Sequence, residues 1–254
     1  NQVIPLIVET LSGTTAISAS STVSYISGAH ALPDYTQSIL GLTKKIVSTQ
    51  NSTFYSALGS GLNGTCRAIA VSGENVYAGG TFTDASGVAV SNIANWNTTT
   101  STWSALGGGL DGPCYAIAVL GTDVYAGGDF TDASGVTANH IAKWDTLTST
   151  WSALGTVLTG LDGTCYAIAV SGADVYAGGN FATAGLAIAN YIAKWDTLTS
   201  TWSALSGGLD AICLTIAVLG TDIYAGGDFI TADLITANHI AKWDTLTLSW
   251  SALI

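Results

Sequence analysis

Apolar and polar residues alternate with a period of two in short runs along most of the chain, and Gly, Asp and Thr bound each run. This alternation is typical of half-buried β-strands, and no segment has the period of an amphipathic helix. In one stretch it predicts four strands, at Cys114 to Leu120, Asp123 to Gly128, Asn139 to Asp145 and Thr150 to Leu154. The chain is therefore predicted to be all-β.

The same stretch occurs four times. Its first residue stands at Cys66, Cys114, Cys165 and Cys213, so the unit advances by 48, 51 and 48 residues. Each unit also has a tyrosine before Gly-Gly and two tryptophans at matching positions. A fixed period of this length indicates a repeat architecture in which one supersecondary unit stacks on the next. We predict four-stranded units at about 62–106, 110–154, 161–205 and 209–254.

The first strand of each unit has a small and a bulky set of side chains. Strict alternation places Cys114, Ala116 and Ala118 on one face, and Tyr115, Ile117 and Val119 on the other. If such sheets stack, the bulky face of one fills the small face of the next at the packing density of a protein core.

A glycine doublet at Gly127-Gly128, the pair Trp144-Asp145, Thr148 and Trp151 together resemble the kelch repeat. The resemblance spans residues 66 to 254, with Asn97 in place of the Asp in the first unit. It implies a β-propeller with the cysteine strand nearest the axis and the WSAL strand outermost. Similar repeats occur in secreted bacterial surface proteins and, more remotely, in the propeller of galactose oxidase. A β-solenoid is the competing fold, although its repeats are usually shorter.

The first 58 residues repeat this pattern only in part. Phe54 to Leu58 resembles WSAL, and Ala16 to Ser20 resembles Ala68 to Ser72. We predict a degenerate fifth blade at 13–58. The alternative is a separate small β element beside a ring of four blades.

Residues 1–12 are predicted to form an N-terminal strand. If a fifth blade is present, this strand is one more than the ring of blades needs. An unpaired apolar strand edge recruits another chain, so this strand is predicted to be exchanged with a neighbour. Alternatively it folds back on its own subunit or frays. The predicted inter-subunit strand comprises Val3, Ile4, Leu6, Ile7 and Val8.

Charged residues make up only 9% of the chain, and six basic against seventeen acidic residues give a formal net charge of -11. An excess of negative charge repels phosphate backbones, so nucleic acid is excluded as a partner. No apolar run approaches the roughly 18 residues that cross a bilayer, so no membrane span is expected. The sequence begins without methionine, as after removal of a signal peptide or in a fragment, and we expect an extracellular or cell-surface location.

Three N-glycosylation sequons begin at Asn51, Asn63 and Asn97, all in predicted turns that an enzyme could reach. Aspartate replaces Asn63 and Asn97 in the later units. These positions are therefore predicted either to carry glycans or to be ordinary Asx turns.

The chain offers no convincing catalytic, cofactor-binding or metal-binding set. The cysteines are predicted to be free, buried thiols, because equivalent positions of neighbouring blades do not face each other. His140 and His239 are expected to be solvated strand-edge residues, and Asp129 and Asp132 to form turns rather than a calcium loop. No cofactor is predicted, and the protein is not expected to be an enzyme.

These inferences favour a non-enzymatic extracellular structural protein that associates with itself as a surface or fibre subunit. Its predicted partners are further copies of the chain, as a homo-oligomer or polymer, and attached glycans. The alternative is a binding module for carbohydrate or protein that uses the loops at one end of a ring of blades.

Overall fold

The computed structural model describes residues 35–39, 42–46, 57–155 and 160–253. The chain divides into two units, residues 1–56 and 57–254. In the first unit, β1 (Tyr35–Ile39) pairs with β2 (Leu42–Ile46) as an antiparallel hairpin. The predicted strand at residues 3–8, the sequon at Asn51 and most of the predicted fifth blade lie outside the described residues.

The second unit consists of four blades, each with four long strands and one short hairpin. The first blade contains β3 (Thr65–Ser72), β4 (Asn75–Thr81), β5 (Asp84–Ala85), β6 (Val88–Ala89), β7 (Ile93–Asn97) and β8 (Thr102–Ala105). The second contains β9 (Cys114–Leu120), β10 (Asp123–Gly128), β11 (Asp132–Ala133), β12 (Val136–Thr137), β13 (Ile141–Asp145) and β14 (Thr150–Ala153). The third contains β15 (Cys165–Ser171), β16 (Asp174–Gly179), β17 (Thr183–Ala184), β18 (Ala187–Ile188), β19 (Ile192–Asp196) and β20 (Thr201–Ala204). The fourth contains β21 (Cys213–Leu219), β22 (Asp222–Gly227), β23 (Thr231–Ala232), β24 (Ile235–Thr236), β25 (Ile240–Asp244) and β26 (Ser249–Ala252).

The long strands of every blade pair antiparallel in chain order, and the short pair forms its own hairpin in the loop between the second and third long strands. The first strands of successive blades lie against one another. The predicted all-β fold of propeller-like, four-stranded blades is thus confirmed. Among the described residues, no helix is present that could cross a membrane.

The third strand of each blade begins two residues later than the alternation predicts. In the second blade it starts at Ile141 rather than Asn139. The reason is His140, whose φ of 61° is left-handed and incompatible with an extended strand. Asn92 and Tyr191 have the same φ of 61° at the matching positions, so this turn recurs whatever the side chain.

A β-bulge in the first strand changes which side chains share a face. In the second blade, Ala116 pairs with Gly127 and Cys114 with Gly128, so Tyr115 is the extra residue. A bulge of this kind shifts the alternation by one position. Cys114 therefore joins Ile117 on the bulky face, and the expectation that it lies on the small face with Ala116 is wrong.

Successive blades join through a glycine on one blade and a cysteine on the next. A Cβ on Gly79 would lie 2.5 Å from Cys114 Sγ and 3.0 Å from Ile117 Cδ1, distances too short for any side chain but hydrogen. Matching contacts join the second blade to the third and the third to the fourth. The absence of a Cβ thus lets the blades approach closely.

At the outer edge, a tryptophan indole joins each blade to the residue that ends the preceding one. Trp151 Nε1 donates a hydrogen bond of 2.8 Å to the carbonyl oxygen of Leu106, and Trp202 and Trp250 repeat the bond to Leu154 and Leu205. Within a blade, the two tryptophan rings pack on each other, with centroids 5.4 Å apart for Trp144 and Trp151. The tryptophans therefore hold the core together, as their recurrence within strands suggests.

Candidate functional site

The four cysteines are free, as predicted, but only three are buried. Burial raises the pKa of the Cys114 and Cys213 thiols to about 12 and also raises that of Cys165. A thiol with so high a pKa is neutral and unreactive at neutral pH. Cys66 is exposed, so the expectation that all four are buried is wrong for this one. It differs because no described blade precedes its own.

The two histidines of the repeat differ in exposure and in what lies beside them. His140 is largely buried, with its side chain 17% exposed and Nδ1 3.7 Å from Asp129 Oδ1. The expectation that it is a solvated edge residue is therefore wrong. His239 is exposed, and its Nδ1 lies 3.1 Å from the carbonyl oxygen of Gly227. Neither histidine has a nucleophile or a carboxylate within hydrogen-bond reach in these contacts, as a catalytic histidine would need.

The acidic and amide side chains of the loops bind backbone rather than converging on a site. Asn63 Oδ1 accepts hydrogen bonds from the N–H groups of Thr83 and Asp84 at 2.9 and 3.0 Å. Asp111 makes the same pair of bonds in the second blade. Within the described part of the chain, no three His, Cys, Asp or Glu side chains are grouped as a metal site would require.

Asn97 and the aspartates that replace it cap the turn before the last strand of each blade. Asn97 Oδ1 accepts from the N–H groups of Thr99 and Thr100 at 3.0 and 2.9 Å. Asp145, Asp196 and Asp244 do the same, and the hydrogen bonds from backbone N–H groups lower the pKa of each carboxyl. Asn63 is exposed and Asn97 half-buried. Both sequons lie in turns, and their glycosylation stays a prediction.

Side chains at the bulge positions stack on one another across the blades. The rings of Tyr115 and Tyr166 have centroids 5.7 Å apart at an interplanar angle of 26°, and the guanidinium of Arg67 lies 5.4 Å from the Tyr115 centroid. Leu214 occupies the same position in the fourth blade. This column places the one arginine of the chain beside a half-buried phenol ring, which in turn stacks on a second one.

Each blade has two faces, and each face meets a different neighbour. The forward face meets the next blade in chain order, and in the first blade it contains Tyr77, Gly79 and Ile93. The back face meets the preceding blade, and in the second blade it contains Cys114 and Ile117. Each joint between the described blades is a forward face packed against a back face.

The back face of the first blade is uncovered in the described unit. Ile69 is 65% exposed, whereas Ile117, at the same position in the second blade, is 9% exposed. Val71 and Cys66 are exposed beside it. These side chains form a back face like those in the joints, but no described forward face in unit 57–254 packs against them.

The forward face of the fourth blade is uncovered in the same way. Ile240 is 46% exposed, although Ile93, Ile141 and Ile192 at its position in the other blades are fully buried. Tyr224 is half-buried, and Gly226 has no cysteine against it. Among the described blades, the first therefore has an open back face and the fourth an open forward face. These are the two kinds of face that pack together in the joints.

Sequence reasoning missed both end faces. The repeat makes Ile69 and Ile117 equivalent, so no residue type marks one of them as exposed. One signal was present in the fourth unit, where Thr215 stands in place of Ala68, Ala116 and Ala167. Threonine is larger than the alanine that the other three units have at this position.

No family model and no curated protein sequence matches the chain. Among solved structures it is similar to the computationally designed Ika4 protein, at 19% identity and a TM-score of 0.51, over 75% of this chain and 99% of that one. It is also similar to the computationally designed Ika8 protein, at 18% identity and a TM-score of 0.45, over 73% and 61% of the two chains. A third similar structure is the extracellular domain of BT4673 from B. thetaiotaomicron, at 12% identity and a TM-score of 0.48, over 74% and 22%. At such identities the likeness to Ika4 concerns the fold alone, a repeat of four-stranded antiparallel sheets.

Proposed function

We propose that this chain is a non-enzymatic extracellular structural protein, a self-associating subunit of a surface layer or fibre. The observation that carries the proposal is a pair of blade faces that no described residue covers, with Ile69 exposed on the first described blade and Ile240 on the fourth. Exposed apolar surface of this kind marks a site of protein association. Few charges and sequons in turns support an extracellular setting.

The experiment that tests the proposal is a measurement of mass in solution by sedimentation velocity over a wide range of protein concentration. Self-association predicts a mass that rises with concentration above that of the 25.8 kDa chain. A single species of that mass at every concentration would contradict the proposal.

The route of association predicted from the sequence is strand exchange through Val3, Ile4, Leu6, Ile7 and Val8. A terminal strand of this kind would complete the sheet of a neighbouring copy. Deleting residues 1–10 tests this route separately, because exchange predicts a folded protein that no longer assembles. Assembly that persists after the deletion would rule out exchange through this end and leave self-association itself intact.

A second candidate is a binding module for carbohydrate or protein, which the column of Arg67, Tyr115 and Tyr166 favours. Half-exposed aromatic rings beside a cation are common in ligand sites. The rings stack on each other, however, so the two ring faces that meet are closed to a sugar. Glycan-array binding by a protein that is monomeric in solution, lost in Tyr115→Ala, would favour this function over self-association.

A further inference from the structure

We infer that two copies of the chain join head to tail, the forward face of the fourth blade of one copy receiving the back face of the first blade of the other. This inference rests on the proposed self-association and adds to it the surfaces that meet and their direction. Every joint between the described blades pairs these same two faces, so the contact between copies repeats an interface that the described residues already make three times.

The internal joints show what each face accepts. Gly79, Gly127 and Gly178 each leave a hollow that the cysteine Sγ and isoleucine Cδ1 of the next blade enter. Cys66 and Ile69 are the same two residues on the back face of the first blade, and both are exposed. The fourth blade has the matching glycine, Gly226. The first blade of a second copy therefore presents the cysteine and isoleucine that this glycine receives.

The first and fourth blades of one chain do not satisfy each other. Among the described residues, the only atoms within 4 Å of a Cβ placed on Gly226 are Thr215 Cγ2 at 2.9 Å and the carbonyl oxygen of His239 at 3.8 Å. Both belong to the fourth blade itself. The cysteine that fills this place in the other joints is absent, and the described residues of this chain supply no substitute.

The chemistry of the two faces suits burial. The exposed side chains at their centres are Ile69, Val71 and Cys66 on one face and Ile240 and Thr215 on the other, none of which is charged. Their burial removes apolar area from water without the desolvation cost of an unpaired charge.

Thr215 makes this contact weaker than the joints inside the chain. Its Cγ2 partly fills the hollow at Gly226, which alanine leaves open in the other blades. A second copy meets a shallower hollow there, so its first blade packs less closely than in the joints between the described blades. Restoring the hollow with Thr215→Ala is expected to lower the protein concentration at which assembly begins.

The direction of the contact determines the form of the assembly. Because a forward face meets a back face, the contact is heterologous, and an open assembly keeps one free forward face at one end and one free back face at the other. Such a contact produces a ring of copies if it closes and a filament if it does not.

The test uses two full-length variants, Ile69→Glu and Ile240→Glu, each of which places a charge in one face. Each variant alone is expected to weaken association at least tenfold, on the order of a hot-spot substitution. Mixed in equal amounts, they should form dimers that grow no further, because each retains the face that the other has lost. Sedimentation velocity measures both effects.

Leu234→Glu is the matched control, since Leu234 is 92% exposed on a short hairpin and lies on neither face. It should assemble like the native protein, and thermal melting should show all three variants folded. If the native protein assembles and both face variants assemble equally well, or if their mixture yields no dimer, the head-to-tail contact is wrong while self-association stands. A native protein that is monomeric at every concentration overturns both. In that case, a loss of stability in Ile69→Glu would show that another part of the same chain covers the back face of the first blade.

Discussion

Replacing a joint glycine with alanine tests the packing of one blade on the next, and the repeat supplies its own control. A Cβ on Gly127 would lie 2.6 Å from Cys165 Sγ and 2.9 Å from Ile168 Cδ1. Among the described residues, a Cβ on Gly226 would meet only Thr215 Cγ2 at 2.9 Å and a carbonyl oxygen at 3.8 Å. The same substitution thus adds a methyl group to a closed joint in one blade and to an open face in another.

The two substitutions should differ in their effect on the free energy of unfolding. Overpacking a buried site costs roughly 1 to 3 kcal/mol. Alanine also restricts the unfolded chain, which stabilises by about 0.4 to 1 kcal/mol where the backbone permits it, and neither glycine has a positive φ. We therefore expect Gly127→Ala to destabilise by about 1 to 2 kcal/mol. Gly226→Ala should be neutral or slightly stabilising, because the end of the threonine side chain can move aside.

Urea denaturation at protein concentrations that keep the chain monomeric measures the difference. Tryptophan fluorescence and far-ultraviolet circular dichroism should give coincident transitions if unfolding is two-state. Gly127→Ala should lower the midpoint with an unchanged slope, while Gly226→Ala should leave the midpoint within error. Equal midpoints for the two variants would refute the argument that a following blade covers Gly127 and not Gly226.

Three further predictions follow from buried and hydrogen-bonded groups. In the folded monomer, a thiol reagent should label Cys66 and spare Cys114, because only Cys66 is exposed; assembly should then protect Cys66. The lowered pKa of Asp145 stabilises the fold above the unfolded value of about 3.9, and this stability is lost as pH falls through the lower folded value. Asp145→Asn, the residue found at Asn97, should therefore reduce the fall in melting temperature between about pH 5 and pH 2. Ala116→Leu should cost roughly 1 to 3 kcal/mol in urea denaturation, because Ala116 is buried in a joint.

Each of these has an outcome that contradicts it. Labelling of all four thiols at equal rates in folded protein would show that the blades open readily. An unchanged acid transition in Asp145→Asn would mean that this carboxylate contributes no pH-dependent stability. A parent-like melting curve for Ala116→Leu would show that the joint has room for a larger side chain.

Much of the fold could be predicted from residues within one unit. Alternation predicts the strand Cys114 to Leu120 with the bounds that the structure shows. Turn chemistry predicts the role of Asn97, whose side chain caps the turn that follows it. These features depend on backbone preference and on hydrogen bonds between near neighbours in the chain, which short stretches of sequence encode.

The sequence missed features that depend on two strands or two blades at once. The bulge at Tyr115 shifts Cys114 to the bulky face, and it exists only in the pairing of the first strand with the second. Likewise, the hydrogen bond from Trp151 to the Leu106 carbonyl joins residues that only the stacking of blades brings together.

The exposure of Cys66 and Ile69 shows where information from the sequence alone ends. Cys66 and Cys114 are the same residue in the same repeat position, yet one is exposed and the other is buried. The sequence by itself determined that blades form and that each has two complementary faces. Only the tertiary structure decided which faces are covered, because the burial of a face depends on the neighbour packed against it and not on the residues that compose it.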